Sequence, residues 1–189
     1  GMGAVSPVPF ADETFVQKIK EQVVVPTMQG LQQDGIPYVG FVFIGLIKVG
    51  ENPKVIEYNV RMGDPETQVV LPRIQNDLFE LLQATASGTL DSVKLSIDNR
   101  SVSTIVAVSG GYPESYEKGK AIRGIDPSDF VVHAGTAMVD EELVTSGGRV
   151  LSATGVGDDH NQAIAQSYQA LAKIDFEGIY YRKDIGFDL

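Results

Sequence analysis

Ile56-Glu57-Tyr58-Asn59-Val60-Arg61-Met62-Gly63-Asp64-Pro65-Glu66-Thr67-Gln68 is the stretch on which the reading of this 189-residue chain turns. Its first six residues alternate apolar and polar, the period of a β-strand. Glu57, Asn59 and Arg61 are therefore predicted on one face, with Ile56, Tyr58 and Val60 on the other. A carboxylate, an amide oxygen and a guanidinium aligned in this way can hold Mg²⁺ and an anion; the same alternation also describes the wet face of an edge strand. The turn that follows adds Asp64 and Glu66. Asp-Pro is common in turns, and Thr67 can cap the next helix. Yet Glu57, Asp64 and Glu66 repel one another unless a cation or strong donors lie among them, so a metal or amine site stands beside a solvated loop as the reading of this segment.

Working outward, Glu51-Asn52-Pro53 reads as a turn, so residues 54–60 return antiparallel to an apolar strand over 38–49. Upstream, Asp12 reads as an N-cap, with Phe15, Ile19 and Val23 down one helical face. Pro26 predicts a kink or an end to that helix, and residues 1–9 read as a loop. Downstream, the spacing predicts a helix over about 72–86, with Ile74, Leu78, Leu81 and Leu82 facing inward, ended by Ser87-Gly88. Beyond Asp98-Asn99-Arg100 come short strands at 103–109, 130–133, 137–144 and 149–154, then an alanine-rich helix at 158–173. The composition shift near residue 100 divides the chain into 1–99 and 100–189: an α+β piece, then a small β-rich domain with a helix.

The balance of 15 Lys+Arg against 25 Asp+Glu gives a formal net charge of -10. It argues against nucleic acid or an anionic membrane as the main partner, and it suits a hard cation held by carboxylates. The absence of cysteine excludes disulfides, thiolate zinc sites, thiol catalysis and iron–sulfur clusters. No window approaches the roughly 18 apolar residues of a membrane helix, and no secretory signal is visible, so a soluble, cytoplasmic protein is expected. Gly119-Lys120-Ala121 lacks the pattern of a phosphate-binding loop, and Gly1-Met2-Gly3 lacks that of a dinucleotide fingerprint. His133 and His160 are far apart and without cysteine companions, which makes zinc a poor fit; His133 reads as packing at a strand end. Arg149 follows Gly147-Gly148, and Arg182-Lys183 precede Asp184. These cations read either as surface charge with a local ion pair or as holders of a substrate phosphate.

The segments GMGAVSP, PKVIEYNVRMGDPETQ, SGGYP, HAGT, SGGRVLSATGVG and YYRKDIG occur in this order. Together they resemble the C-terminal portion of the glycinamide ribonucleotide synthetases (phosphoribosylamine–glycine ligases) of the ATP-grasp superfamily. The resemblance implies an α+β fold: the C-terminal part of an ATP-grasp domain over 1–99, then a barrel-like C-terminal domain of the same enzyme type over 100–189. It implies ligation of glycine to 5-phosphoribosylamine in purine biosynthesis, with ATP as co-substrate and a glycyl phosphate as intermediate. Glu57 and Asn59 then match the family's ligands for Mg²⁺ (or Mn²⁺), and with Arg61 they meet the nucleotide phosphates. Arg61 fits a stabiliser of the transferring phosphoryl group, while Asp64 and Glu66 orient an amine. Arg149, Arg182 and Lys183 are candidates for the ribose phosphate. Two departures accompany the match. The strand over 40–46 carries no acid where many ATP-grasp enzymes supply a further metal carboxylate, a replacement the glycinamide branch shares. The family's N-terminal regions are absent, so the chain alone is expected to be inactive, and a separate N-terminal half is a candidate partner. The alternative is a non-catalytic module that binds a metal or a partner through the same loop.

Overall fold

The computed structural model describes all 189 residues. In chain order its main elements are β1 (Gly3–Ser6), α1 (Glu13–Ile19), α2 (Val25–Gln33), β2 (Phe43–Val49), β3 (Asn52–Asn59), α3 (Thr67–Val70) and α4 (Leu78–Ala86). They continue as β4 (Ser101–Val108), β5 (Phe130–His133), β6 (Thr136–Val139), β7 (Glu142–Thr145), β8 (Arg149–Gly157) and α5 (His160–Leu171). Contacts gather Gly1–Pro7, Asp64–Arg73 and Asp98–Leu189 into one unit and Val8–Gly63 with Ile74–Ile97 into another. The α+β class expected from the sequence is the class observed.

In the first unit, β1, β4, β8 and β5 form one antiparallel sheet in that order. All eight residues of β4 are buried, because both α5 and α3 pack on it and it lies between two strands. Ile105, Leu151 and Leu171 are fully buried at the centre of the core. Each such side chain contributes roughly 1.5–3 kcal/mol relative to exposure. Asp159 caps α5 by accepting from the Gln162 amide at 2.9 Å. The helix lies close on β8 because Gly155 and Gly157 present no side chain to it; a Cβ at Gly157 would stand 2.6 Å from the Ala163 nitrogen. Ser103 and Ser167 share a hydrogen bond of 2.5 Å across that seam, and the Ser167 hydroxyl also reaches the Ser103 carbonyl.

The sheet is open, and the strands of 100–189 do not close into a barrel; β6 and β7 form a separate hairpin. That hairpin replaces the single strand expected over 137–144, because Asp140 and Glu141 take positive φ (48° and 65°) and reverse the chain. Residues 3–6 are a strand and not part of a loop, since they find ladder partners on β4 at Val102 to Ile105.

In the second unit, Asp12 caps α1 by accepting from the Phe15 amide at 2.7 Å, and Phe15 and Val23 are buried. The helix does not stop at Pro26. A π-turn at Lys20–Val24 resets the ladder, with the Val25 amide bonded to the Lys20 carbonyl. Pro26 thus falls in the first turn of α2, where its missing N–H is not needed. Lys48 sits 5.2 Å above the Phe15 ring, and Lys18 donates to the Glu51 carbonyl at 2.9 Å, which ties α1 to the β2–β3 hairpin. The hairpin turn is Gly50-Glu51, with Gly50 at φ +58°, so Asn52 and Pro53 belong to β3. The strand β2 is only half-buried, with Ile47 and Val49 exposed. Asp77 captures the Glu80 amide at 3.1 Å and begins α4 at Leu78, six residues later than the spacing suggested. Leu81 and Ala84 face inward while Leu78 and Leu82 are exposed. No helix is long and apolar enough to cross a membrane.

Candidate functional site

The Glu57–Asn59 pair is built by β3 and its partner strand. Register runs Gly45 to Glu57 and then Leu46 to Val55, leaving Ile56 as a β-bulge beside the pair. Opposite Glu57 stands Gly45, and a Cβ there would lie 2.9 Å from the Glu57 Cγ. The bare backbone therefore leaves space that the glutamate occupies. Asn59 Nδ2 donates to Glu57 Oε1 at 3.0 Å, so the structure brings these two predicted residues together. Their free oxygens, one carboxylate and one amide, are hard donors of the kind Mg²⁺ prefers. No group of three Asp, Glu or His residues gathers around them, which agrees with the acid-free strand opposite. Arg61 lies beyond β3, exposed, with Nη1 donating to the Met62 carbonyl at 2.8 Å. On the other side of the strand Tyr58 meets Thr27 through their hydroxyls at 3.0 Å.

In the first unit Asp64 forms a hub. Its carboxylate pairs with Arg149 Nη2 and accepts from Gln68 Nε2 at 3.3 Å. Arg149 Nη1 donates to the carbonyls of Gly1 and Asp64, both at 3.2 Å. The guanidinium thus braces the Asp64 turn against the N-terminal strand. Glycines give it that position: a Cβ on Gly135 would stand 2.6 Å from the Gly147 Cα, and one on Gly148 would overlap the Tyr112 ring. Glu66 starts α3, its carbonyl accepting from Val69 and Val70, and its side chain is half-buried.

Arg182 is forked on Asp184, Nε to Oδ1 at 2.8 Å and Nη2 to Oδ2 at 2.7 Å. That hydrogen bond holds the Asp184 carboxyl below the usual range and raises the guanidinium above its own. The local ion pair is therefore present, and Arg149 and Arg182 each engage a different carboxylate. Lys183 lines a groove of about 740 Å³ with Ile179, Tyr180, Tyr181 and Asp184.

A separate cleft of about 700 Å³ runs between the α3 turn and β5, floored by Leu71, Pro72 and Val132, with Asp64, Gln68 and His133 among its polar members. Sequence reasoning did not find Gln68 or Gly45. A polar residue one position past the GDPET run gives no signal of its own, and a glycine in a strand reads as a weak spot.

Two models of one family match the chain: the ATP-grasp (A) domain of phosphoribosylglycinamide synthetase over residues 1–67 and its C domain over 102–188. The chain belongs to the phosphoribosylglycinamide synthetase family. The phosphoribosylamine–glycine ligase of Caldanaerobacter subterraneus is 43% identical over 187 residues, covering 98% of this chain and 45% of that protein. The human trifunctional purine biosynthetic protein adenosine-3 is 42% identical, over 99% of this chain and 19% of its own. The crystal structure of phosphoribosylamine–glycine ligase from Thermotoga maritima matches with a TM-score of 0.87 at 33% identity, over 97% of this chain and 46% of that one. The chain spans about 45% of the length of the single-function relatives it matches.

Proposed function

We propose that this chain carries the metal- and phosphoryl-handling part of a phosphoribosylamine–glycine ligase. The overall reaction joins glycine to 5-phosphoribosylamine at the expense of ATP and yields glycinamide ribonucleotide, ADP and phosphate. The observation that carries the reading is 43% identity to a ligase of that name across 98% of the chain. The Glu57–Asn59 pair facing Gly45 supports it with oxygen donors where such an enzyme needs a cation. Glu57 and Asn59 would hold Mg²⁺ (or Mn²⁺), which when bound supplies charge to offset the nucleotide phosphates. Arg61 reaches the γ-phosphoryl as the glycine carboxylate attacks it. Donors aimed at developing charge in this way account for much of catalysis by positioning. The amine of phosphoribosylamine then attacks the glycyl phosphate carbonyl and phosphate leaves; Asp64 and Glu66 orient that amine and accept its proton. Arg149, Arg182 and Lys183 remain the candidates for the ribose phosphate, with the carboxylate partners of both arginines competing for them.

The family models fall on either side of residue 100, which supports modules at 1–99 and 100–189. The partners in this reading are ATP, glycine, phosphoribosylamine and a separate polypeptide with the remaining length of the relatives, all meeting in the cytoplasm. The test mixes the purified chain with such a polypeptide and follows glycinamide ribonucleotide formation. Product is expected with wild-type chain, and with Glu57→Gln only at a rate lowered by about 100-fold or more. Absence of product from the wild-type mixture, with both parts folded, would favour the non-catalytic module.

A further inference from the structure

The β2–β3 ladder ends at the Phe43–Asn59 rung, and the chain bends at Val60 and Arg61 just beyond it. The Val60 side chain is 72% exposed, so packing does not hold the bend. What reaches it is Tyr38, from the segment between α2 and β2. The Tyr38 hydroxyl donates to the Phe41 carbonyl at 2.7 Å and to the Val60 carbonyl at 3.0 Å. A phenol carries one hydrogen, so the two carbonyls share it. Gly40 makes the seat: it takes φ +146°, and a Cβ there would stand 3.0 Å from the Tyr38 oxygen. All of these residues belong to one unit.

The bond matters for what is joined to that carbonyl. The Val60 carbonyl and the Arg61 nitrogen lie in one rigid peptide plane, so fixing the first sets the direction in which Arg61 leaves the strand. Glu57 and Asn59 need no such help, since both sit on ladder rungs, opposite Gly45 and Phe43. The Arg61 guanidinium bonds to the adjacent Met62 carbonyl, which moves with it and cannot aim it. We propose that Tyr38 is a positioning residue: its hydroxyl clamps the Val60–Arg61 peptide and so directs the guanidinium. The phosphoryl group toward which Arg61 is directed rests on the ligase reading above; the clamp does not.

Two measurements keep those claims apart. The first uses ¹⁵N relaxation on the 189-residue chain without ATP or metal, comparing wild type with Tyr38→Phe. The phenyl ring keeps its place in the apolar groove it lines with Met28 and Ile36, so the variant folds and only the hydroxyl is lost. The Arg61 amide should fall from an order parameter of about 0.85 to below about 0.6, with Glu57 and Asn59 unchanged. The second uses the reconstituted ligase. There Tyr38→Phe should lower kcat by about 10- to 100-fold with KM for glycine unmoved, and should lower the residual rate of Arg61→Ala no further. An unchanged Arg61 amide, equal loosening at Glu57 and Asn59, or a full additional loss in the double variant each overturn the proposal. A loosened Arg61 with undiminished kcat upholds the clamp and refutes the phosphoryl role of Arg61 instead.

Discussion

Replacing Gly155 by alanine adds one methyl group at the tightest point of the first unit. Gly155 has an ordinary strand backbone, so alanine meets no conformational penalty and the whole effect is contact. The new Cβ would overlap the Ala163 carbonyl and stand 2.7 Å from the Ser167 nitrogen and 2.8 Å from the Gln166 Cβ. Two of these are backbone atoms of α5, so no side chain can swing away and the helix must recede. Overpacking of this kind costs about 1–3 kcal/mol. Receding also pulls Ser167 from Ser103, where the hydroxyls lie 2.5 Å apart in a fully buried seam. A buried hydrogen bond lost there costs about 1–3 kcal/mol more. A total near 3 kcal/mol lowers Tm by roughly 6–12 °C for a chain of this size. Thermal melts by circular dichroism read it directly. The matched control is Gly30→Ala in α2, where a Cβ meets nothing within 4 Å. It should gain about 1 kcal/mol of helix propensity, or roughly 2–4 °C. A Gly155→Ala protein melting within a degree of wild type would refute the claim that bare backbone is what lets α5 seat on β8.

Gly45→Val should leave Tm unchanged or slightly raised, because the contact at 2.9 Å is to the flexible Glu57 side chain and valine suits a strand. Its cost should appear as loss of Mn²⁺-induced broadening at Glu57 and Asn59; undiminished broadening would contradict the assigned role of the glycine. In the reconstituted ligase, Glu57→Gln is expected to lower kcat by about 100-fold or more with little change in KM for glycine, since the lost charge matters in phosphoryl transfer. Wild-type turnover at saturating Mg²⁺ counts against that assignment. The Asp184 carboxyl is held low by its bond to Arg182, so the contribution of the pair to stability is present above the unfolded carboxylate range and lost as pH falls through the folded value. Carboxyl NMR should show Asp184 titrating higher in Arg182→Ala; an unmoved midpoint would dismiss the pairing in solution.

Local signals made part of this legible. The alternation around Glu57 placed it beside Asn59, Asp12 announced its helix, and Phe130 to His133 read as the strand it is. These depend on residues a few positions apart. What escaped depends on distant ones. Residues 3–6 are Gly- and Pro-flanked and look like a loop until β4, a hundred residues away, supplies the ladder. The β6–β7 turn uses Asp140-Glu141 without glycine, so nothing in the letters marked it. Pro26 looked terminal because a π-turn that moves it into a first turn leaves no trace in periodicity. Gln68 and His133 meet in one cleft only after the sheet is assembled.

The strand Gly3–Ser6 has a practical consequence for anyone who wishes to move residues 100–189 as a cassette. Such a fragment starts at Arg100 and leaves β1 behind, turning β4 from an interior strand into a margin. A margin of eight buried, mostly apolar residues with open N–H and C=O groups is an invitation to pair with another molecule. Grafting the first seven residues back by a short linker would restore the missing neighbour, and the difference in solubility between the two fragments would report how much work that small ribbon does.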